Sequence, residues 1–170
     1  LAVHISDGEG GWKDINNSLV PLFNEITSAD GRIKISKKTT GNGKLFTLHS
    51  GNEKITLSLV GANKGIKGEV TNHSDAEEAT ELQKMMNLEK LSSSVIYRDI
   101  LSGVDIEYVL NGLGIKENII IKEKADAYSY TFELELNGLE AVLGENGSIG
   151  LTDESGNTEY LIPAPIIFDA

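Results

Sequence analysis

Alternation of apolar and polar residues in short runs constrains the fold of this chain more than any other feature. Residues 54–60, 103–109 and 130–136 each place apolar side chains on one face and polar or charged side chains on the other. A period of two residues is typical of a half-buried β-strand with one solvated face. Residues 115–122 contain Ile119, Ile120 and Ile121 in succession, which predicts a strand that is buried on both faces or central in a sheet.

Short turn sequences separate these runs at close intervals. The pairs Asp30-Gly31, Gly51-Asn52 and Asn111-Gly112 are examples. Glycine and asparagine tolerate the positive φ angles that tight hairpin turns require. Short strands joined by such turns favour antiparallel sheets over alternating strands and helices. The sequence therefore predicts a mainly β fold, an antiparallel sandwich-like architecture.

One segment departs from this pattern and predicts a short helix at residues 76–87. Ser74 or Asp75 is suited to cap its start, and Leu82, Met85 and Met86 share one face. We expect a single β-rich domain over residues 1–170, with a soft boundary near residues 74–92. Residues 160–169 are apolar and contain two prolines, which predicts an edge strand and a domain truncated at its C-terminal end.

The chain is acidic, with a formal net charge of −11. Affinity for nucleic acid comes largely from neutralising phosphates with lysine and arginine, so we expect no nucleic acid partner. No apolar run approaches the roughly 18 residues of a membrane span, so we expect none. We predict no cofactor. Calcium is the alternative, because an acidic surface suits cations.

No catalytic motif stands out in the sequence. The chain lacks cysteine, and no GxSxG nucleophile motif is present. Asp105 with Glu107, and Glu133 with Glu135, lie two residues apart on predicted strands, a spacing that any solvated strand face also produces. The three histidines have no metal-binding spacing: His4, His49 and His73. We therefore predict neither a catalytic nor a metal site, and we expect the protein not to be an enzyme.

Trp12 is the single tryptophan of the chain. Exposed aromatic rings can stack on sugars, whereas a lone tryptophan in a β domain is more often a core anchor. Both interpretations stay open at this point.

Two stretches of the sequence resemble a known class of proteins. GWKDINNSLV at residues 11–20 and the region from residue 95 to residue 169, which includes VIYRDILSGVDIEYVLNGLGIKENIIIK, are similar to the N-terminal β module of Gram-positive wall-associated, Rhs (YD-repeat) and DNRLRE-type surface proteins. The positions that carry the resemblance are Trp12, Asp14, Asn16, Tyr97, Asp99, Asp105, Tyr108, Lys116, Glu117, Pro163, Pro165 and Asp169.

The resemblance implies a non-catalytic extracellular or cell-wall-associated module of a larger surface protein. Such a module would act as a structural spacer or bind cell-wall glycan, another surface protein or downstream repeats of its own chain. Trp12, Tyr97 and Tyr108 are then the candidate binding residues. The roles of Asp14, Asn16, Asp99, Asp105, Lys116 and Glu117 stay undefined. The alternatives are a carbohydrate-active hydrolase that uses paired carboxylates and a calcium-stabilised adhesin.

Overall fold

The computed structural model describes residues 4–6, 9–72, 92–124 and 126–168. These ranges form antiparallel strands, which confirms the predicted mainly β fold. The strands are β1 (His4–Ser6), β2 (Trp12–Asp14), β3 (Leu19–Pro21), β4 (Glu25–Ser28), β5 (Ile33–Ser36), β6 (Lys44–Ser50), β7 (Glu53–Leu59), β8 (Gly68–Asn72), β9 (Ser92–Leu101), β10 (Val104–Asn111), β11 (Gly114–Ile121), β12 (Phe132–Asn137), β13 (Glu140–Leu143), β14 (Ile149–Thr152) and β15 (Thr158–Ile162).

Within the described ranges, these strands build four sheets. The largest has the order β12-β7-β6-β5-β4-β3, and a second has the order β11-β10-β9-β8. A three-stranded sheet has the order β13-β14-β15, and β1 pairs with β2 in a small separate hairpin. Most neighbours in these sheets are also neighbours in the sequence, which is the pattern expected when tight turns join successive strands.

Turn residues fix the register of two hairpins at the predicted positions. Asp30 and Gly31 lie between β4 and β5, and Gly31 has a φ of 79°. Asn111 is paired with Gly114 between β10 and β11, which leaves Gly112 and Leu113 as a two-residue loop. Gly112 has a φ of 56°, a conformation that a residue with a Cβ rarely adopts. Both predicted turns are confirmed.

The main core lies between the six-stranded and the four-stranded sheets. The first contributes buried aliphatic side chains from β3 to β7, and the second contributes buried residues of β9 and β10. The ring of Phe46 meets the ring of Tyr108 edge to face, with centroids 5.2 Å apart, across this interface. The buried core residues are Leu19, Ile26, Ile33, Ile35, Leu45, Leu59, Val95, Tyr97, Ile100, Ile106, Tyr108 and Leu110. This packing confirms the sandwich-like architecture.

The three-stranded sheet packs on the same large sheet beside the four-stranded one. Ile55, Leu139 and Leu151 form the buried centre of this second cluster. Ile55 and Leu59 lie on the same face of β7, since they are separated by an even number of residues. One apolar face of the six-stranded sheet is therefore covered by two smaller sheets side by side.

Two details of the predicted strands are wrong. β11 is an edge strand of its sheet, and Ile120 and Ile121 are 39% and 40% exposed, so the run of isoleucines is not central. The C-terminal strand lies at a sheet edge as predicted but ends at Ile162, because Pro163 and the proline after it cannot donate to a ladder. The predicted helix at 76–87 lies outside the described residues, as does the boundary near 74–92 except for its last residue.

In the part of the chain that the structure describes, no helix is both long and apolar enough to cross a membrane.

Candidate functional site

A cleft of about 1260 Å³ opens where the three larger sheets meet. The apolar face of the six-stranded sheet forms its floor, with Phe46, Leu48, Ile55, Leu57, Phe132 and Leu134. The β10–β11 hairpin forms one wall, with Tyr108, Leu113, Ile115 and Glu117. Strands β14 and β15 form the other wall, with Ile149, Leu151, Tyr160, Leu161 and Ile162. The cleft is therefore mainly apolar, and charged residues lie at its rim.

A buried ion pair closes one end of the cleft. Arg32 donates from Nε to Oδ2 of Asp30 at 2.8 Å and from Nη2 to Oδ1 of Asn17 at 2.8 Å. Asn17 in turn donates to the carbonyl of Gly112 at 2.8 Å, which ties the β4–β5 turn to the β10–β11 turn. Burial opposes ionisation of Asp30, but hydrogen bonds from Ser28 and Arg32 outweigh it and hold the pKa of that carboxyl below its ordinary value.

Glu117 on the β11 wall accepts a hydrogen bond from the buried hydroxyl of Tyr108, with 2.6 Å between the two oxygens. Glu117 is an exposed residue of β11, but partial desolvation of its carboxyl beside the wall raises its pKa, and the hydrogen bond from Tyr108 only partly offsets this. Burial and the neighbouring Glu117 carboxylate raise the pKa of Tyr108 well above its ordinary value, which keeps this hydroxyl a donor. The cleft thus holds a carboxyl that is protonated more readily than a free glutamate.

Glu117→Gln is expected to gain stability relative to the wild type as the pH rises. A carboxyl whose pKa is higher in the folded state stabilises the fold most below its unfolded pKa, and this contribution is lost as the pH rises through the folded value. The glutamine variant does not titrate there. Urea unfolding of both proteins between about pH 4 and pH 7 measures the difference. A difference that stays constant across this range would contradict the raised pKa of Glu117 beside Tyr108.

The β1–β2 hairpin presents a group of polar and aromatic side chains at the same end of the cleft. His4 Nδ1 lies 2.8 Å from Oδ1 of Asp14, and both side chains are more than half exposed. Trp12 is 76% exposed, so the interpretation of Trp12 as a core anchor is wrong. Lys13 donates from Nζ to the backbone carbonyl of Asp30 at 3.5 Å. His4, Trp12 and Lys13 all line the cleft.

Asp99 and Asp105 belong to an ionic network at a bulge of the four-stranded sheet. Lys122 Nζ lies 2.7 Å from Oδ1 of each aspartate, and the backbone N–H of Asp99 donates to Asp105 at 2.7 Å. Asp99 has a φ of 52°, an unusual conformation for a residue with a side chain. The register shifts between Val104 and Ile106 at this point. These two aspartates therefore stabilise the junction of β9, β10 and β11.

Other positions of the sequence pattern also have structural contacts. Tyr97 and Tyr108 are fully buried, so neither ring can stack on a ligand at the surface. The hydroxyl of Tyr97 donates to the carbonyl of Ser36 across the sandwich. Asn16 donates from its backbone N–H to Asp30 at 3.3 Å, beside the closed end of the cleft. Lys116 is an exposed residue of β11.

Sequence reasoning missed the contacts of Arg32 and Lys122. A signal existed for the first, because Arg32 is one of only two arginines in the chain and lies next to the predicted turn at Asp30-Gly31. Lys122 has no such signal, since it is one of 13 lysines. Among the described residues, no group of three or more histidine, aspartate or glutamate side chains is placed to hold a metal ion. The expectations of no metal and no cofactor, with calcium as the alternative, stay predictions.

No family model and no solved structure matches this chain. Three curated proteins are similar to it along almost its whole length. The tRNA(Glu)-specific nuclease WapA of Bacillus subtilis subsp. natto is 26% identical over 95% of the chain. The tRNA nuclease WapA of Bacillus subtilis and the tRNA3(Ser)-specific nuclease WapA of Bacillus spizizenii are each 25% identical, over 95% and 94% of the chain. The chain spans only 6–7% of the length of these relatives.

These similarities correct several predictions made from the sequence. The relatives are named tRNA nucleases, so the resemblance to wall-associated, Rhs and DNRLRE-type surface modules is wrong. The functions predicted alongside that resemblance are wrong as well: a non-catalytic surface module, a carbohydrate-active hydrolase and a calcium-stabilised adhesin. The prediction that no enzymatic activity is present is also wrong. Excluding nucleic acid and naming cell-wall glycan as a partner is also wrong, because the relatives are named for tRNA and net charge, as an average over the chain, does not exclude a local contact with RNA. The extracellular location stays a prediction. This chain is similar to one segment of tRNA nucleases many times its length.

Proposed function

We propose that the polypeptide to which this chain belongs cleaves tRNA and that this chain is one of its β-rich domains. The observation that carries the proposal is the extent of the similarity. It runs through 94–95% of the chain in three proteins that are named tRNA nucleases. A match of that extent covers the sandwich and the three-stranded sheet together. Since the chain spans 6–7% of those relatives, we assign the activity to the whole polypeptide.

The β1–β2 hairpin is the part of the described chain best suited to contact RNA. Proteins recognise single-stranded RNA by stacking unpaired bases on aromatic rings and by pairing phosphates with cations. Trp12 supplies an exposed ring. Lys13 contacts an uncharged carbonyl oxygen, which leaves its positive charge available to a phosphate. The carboxylate of Asp14 orients the ring of His4 through Nδ1, so Nε2 points away from that carboxylate.

This hairpin lies in a chain of net charge −11, so its contribution to RNA binding must be local. Stacking is less sensitive to salt than phosphate contacts, because every base has a π face and no counterion is released from it. We therefore propose that Trp12 makes the main contact of this chain with an unpaired tRNA base, and that Lys13 and His4 assist it at the backbone.

Trp12→Ala in the full-length polypeptide is expected to raise the KM for tRNA by about 5-fold to 150-fold, since one base–aromatic stack contributes about 1–3 kcal/mol. Cleavage of end-labelled tRNA under steady-state conditions measures this change. Phe23→Ala is the matched control, because Phe23 is 93% exposed and does not line the cleft. It should leave KM unchanged.

The two parts of the proposal fail separately. A folded wild-type polypeptide that leaves every tRNA intact contradicts tRNA cleavage. Wild-type cleavage combined with equal KM values for Trp12→Ala and Phe23→Ala contradicts only the role of the hairpin.

A further inference from the structure

Lysines are concentrated where the segment after β5 pairs with the loop before β8. We call Lys37, Lys38, Lys64 and Lys67 the lysine patch. All of them are exposed, and none is paired with a carboxylate of the described residues. In a chain with 26 aspartate and glutamate residues, these lysines form a local surface of positive charge.

Two lysines of the patch are held against each other. Lys38 lies directly opposite Lys67 in an isolated antiparallel bridge. Backbone hydrogen bonds of 2.8 Å and 3.1 Å flank this bridge on either side, so the two lysines form a non-hydrogen-bonded pair, in which the side chains are closest. Like charges directly opposite each other are destabilising. An anion bound between the two ammonium groups would remove this repulsion.

The loop before β8 carries two of these lysines and is fixed by Thr39. The hydroxyl of Thr39 donates to the carbonyl of Asn63 at 2.6 Å and accepts from the N–H of Ile66 at 2.8 Å. Gly65 has a φ of 90°, and a Cβ atom there would lie 3.2 Å from Cε of Lys38, so the aliphatic chain of Lys38 lies over the loop. An ordered backbone therefore presents the charges of the patch, which lowers the entropic cost of binding.

Acidic residues of the adjoining strands already have cations of their own. Glu69 of β8 pairs with Arg98 at 2.9 Å, and Asp99 of β9 pairs with Lys122 at 2.7 Å. Asn63 donates from Nδ2 to the carbonyl of Asp99 at 2.8 Å, so this ionic network adjoins the loop. The carboxylates beside the patch therefore have other counter-charges and do not pair with it.

We propose that the lysine patch binds the phosphate backbone of tRNA. This inference rests on the proposed tRNA substrate and adds a second contact to that of the β1–β2 hairpin. Neutralising phosphates with lysine releases counterions, which supplies most of the sequence-independent affinity for nucleic acid. Lys13 of the hairpin lies beside Asp30, before β5, whereas Lys37 follows β5. A tRNA bound at Trp12 therefore extends along the sandwich to reach the patch.

The salt dependence of tRNA binding by the 170-residue chain tests the patch. Lys38→Gln combined with Lys67→Gln should weaken binding by about 10-fold or more at about 0.1 M salt. It should also reduce the slope of log affinity against log salt by about 1.4–1.8, since each phosphate contact releases about 0.7–0.9 counterion. Fluorescence anisotropy of labelled tRNA measures both quantities. Lys54→Gln combined with Lys116→Gln is the matched control, because it changes the net charge equally outside the patch and should leave the slope unchanged.

Trp12→Ala distinguishes the two contacts, because stacking releases no counterion. It should weaken binding and leave the slope unchanged. Circular dichroism checks that the Lys38→Gln/Lys67→Gln chain is folded, and removing a repelling pair should not lower its stability.

Equal slopes for the wild type and the Lys38→Gln/Lys67→Gln chain, or an equal reduction in the control, would overturn the inference. A full-length polypeptide that cleaves tRNA while the 170-residue chain does not bind it overturns only the patch. Binding with the expected slopes but without cleavage by the full-length polypeptide overturns only the proposed cleavage.

Discussion

Replacing Gly43 by alanine is expected to lower the free energy of unfolding by about 2–5 kcal/mol, which combines the usual left-handed backbone penalty with overpacking. Gly43 has a φ of 66°, and a Cβ atom there would lie 2.0 Å from the carbonyl oxygen of Leu59. The N–H of Leu59 donates to the carbonyl of Gly43 at 2.9 Å. The new methyl group would therefore separate the turn before β6 from the end of β7. Urea unfolding followed by circular dichroism measures the loss.

Gly51→Ala is the control that separates the two causes. Gly51 also has a positive φ, 55°, but a Cβ atom there would meet nothing within 4 Å. We expect only the backbone penalty of about 1–2 kcal/mol from this substitution. Equal losses for Gly43→Ala and Gly51→Ala would contradict the close approach of Leu59 to the turn.

Replacing Arg32 by methionine is expected to lower the free energy of unfolding by about 3–5 kcal/mol, the usual effect of removing one partner of a buried ion pair. The side chains of Arg32 and Asp30 are only 13% and 2% exposed. Without Arg32, the Asp30 carboxylate keeps its hydrogen bond from Ser28 but loses its counter-charge. Asn17 also loses the donor to its Oδ1. Thermal or urea unfolding at neutral pH measures the effect.

The other arginine of the chain provides a matched control. Arg98 pairs with Glu69 at 2.9 Å, and both side chains are more than half exposed. Its second partner, the buried Asp105, lies 3.6 Å away and keeps the nearer Lys122 at 2.7 Å as a counter-charge. Water screens this pair, so Arg98→Met should change the stability far less than Arg32→Met. The effect at Arg32 should also shrink in acid. A carboxyl whose pKa is lowered by folding stabilises the fold above its unfolded pKa, and this contribution is lost as the pH falls through the folded value. An Arg32→Met effect that persists unchanged at low pH would contradict the ionic role of Asp30.

The strands and turns were predictable because they depend on local properties. The alternation at residues 54–60 and 130–136 matches two strands that pair with each other, β7 and β12, with Leu57 opposite Leu134. A side-chain period of two and turn residues with positive φ act within a few residues of one another. No long-range information is needed to predict such elements.

The position of each strand in its sheet could not be predicted in the same way. The isoleucines of β11 predicted a central strand, but β11 is at an edge, and Ile120 and Ile121 are 39% and 40% exposed. An edge strand that is covered by another layer can have the same composition as a central strand. Residues of three sheets line the cleft, so no single stretch of the sequence predicts it.

The side chains of the candidate site show the same limit. Trp12 was singled out from the sequence, but its exposure depends on the position of the β1–β2 hairpin beside the other sheets. Asp105 and Lys122 are separated by 17 positions, yet they meet at 2.7 Å because β10 and β11 are paired. Arg32 and Gly112 are brought together across the sandwich in the same way. Only the tertiary fold determines these distances.

The fluorescence of Trp12 tests the central claim most directly, because Trp12 is the only tryptophan of the chain. We expect tRNA to quench the emission of the 170-residue chain in a saturable manner, and polyphosphate, which has charge but no bases, to leave it unchanged. Emission that stays unchanged at tRNA concentrations at which the full-length polypeptide cleaves tRNA would contradict the proposed contact between this domain and its substrate.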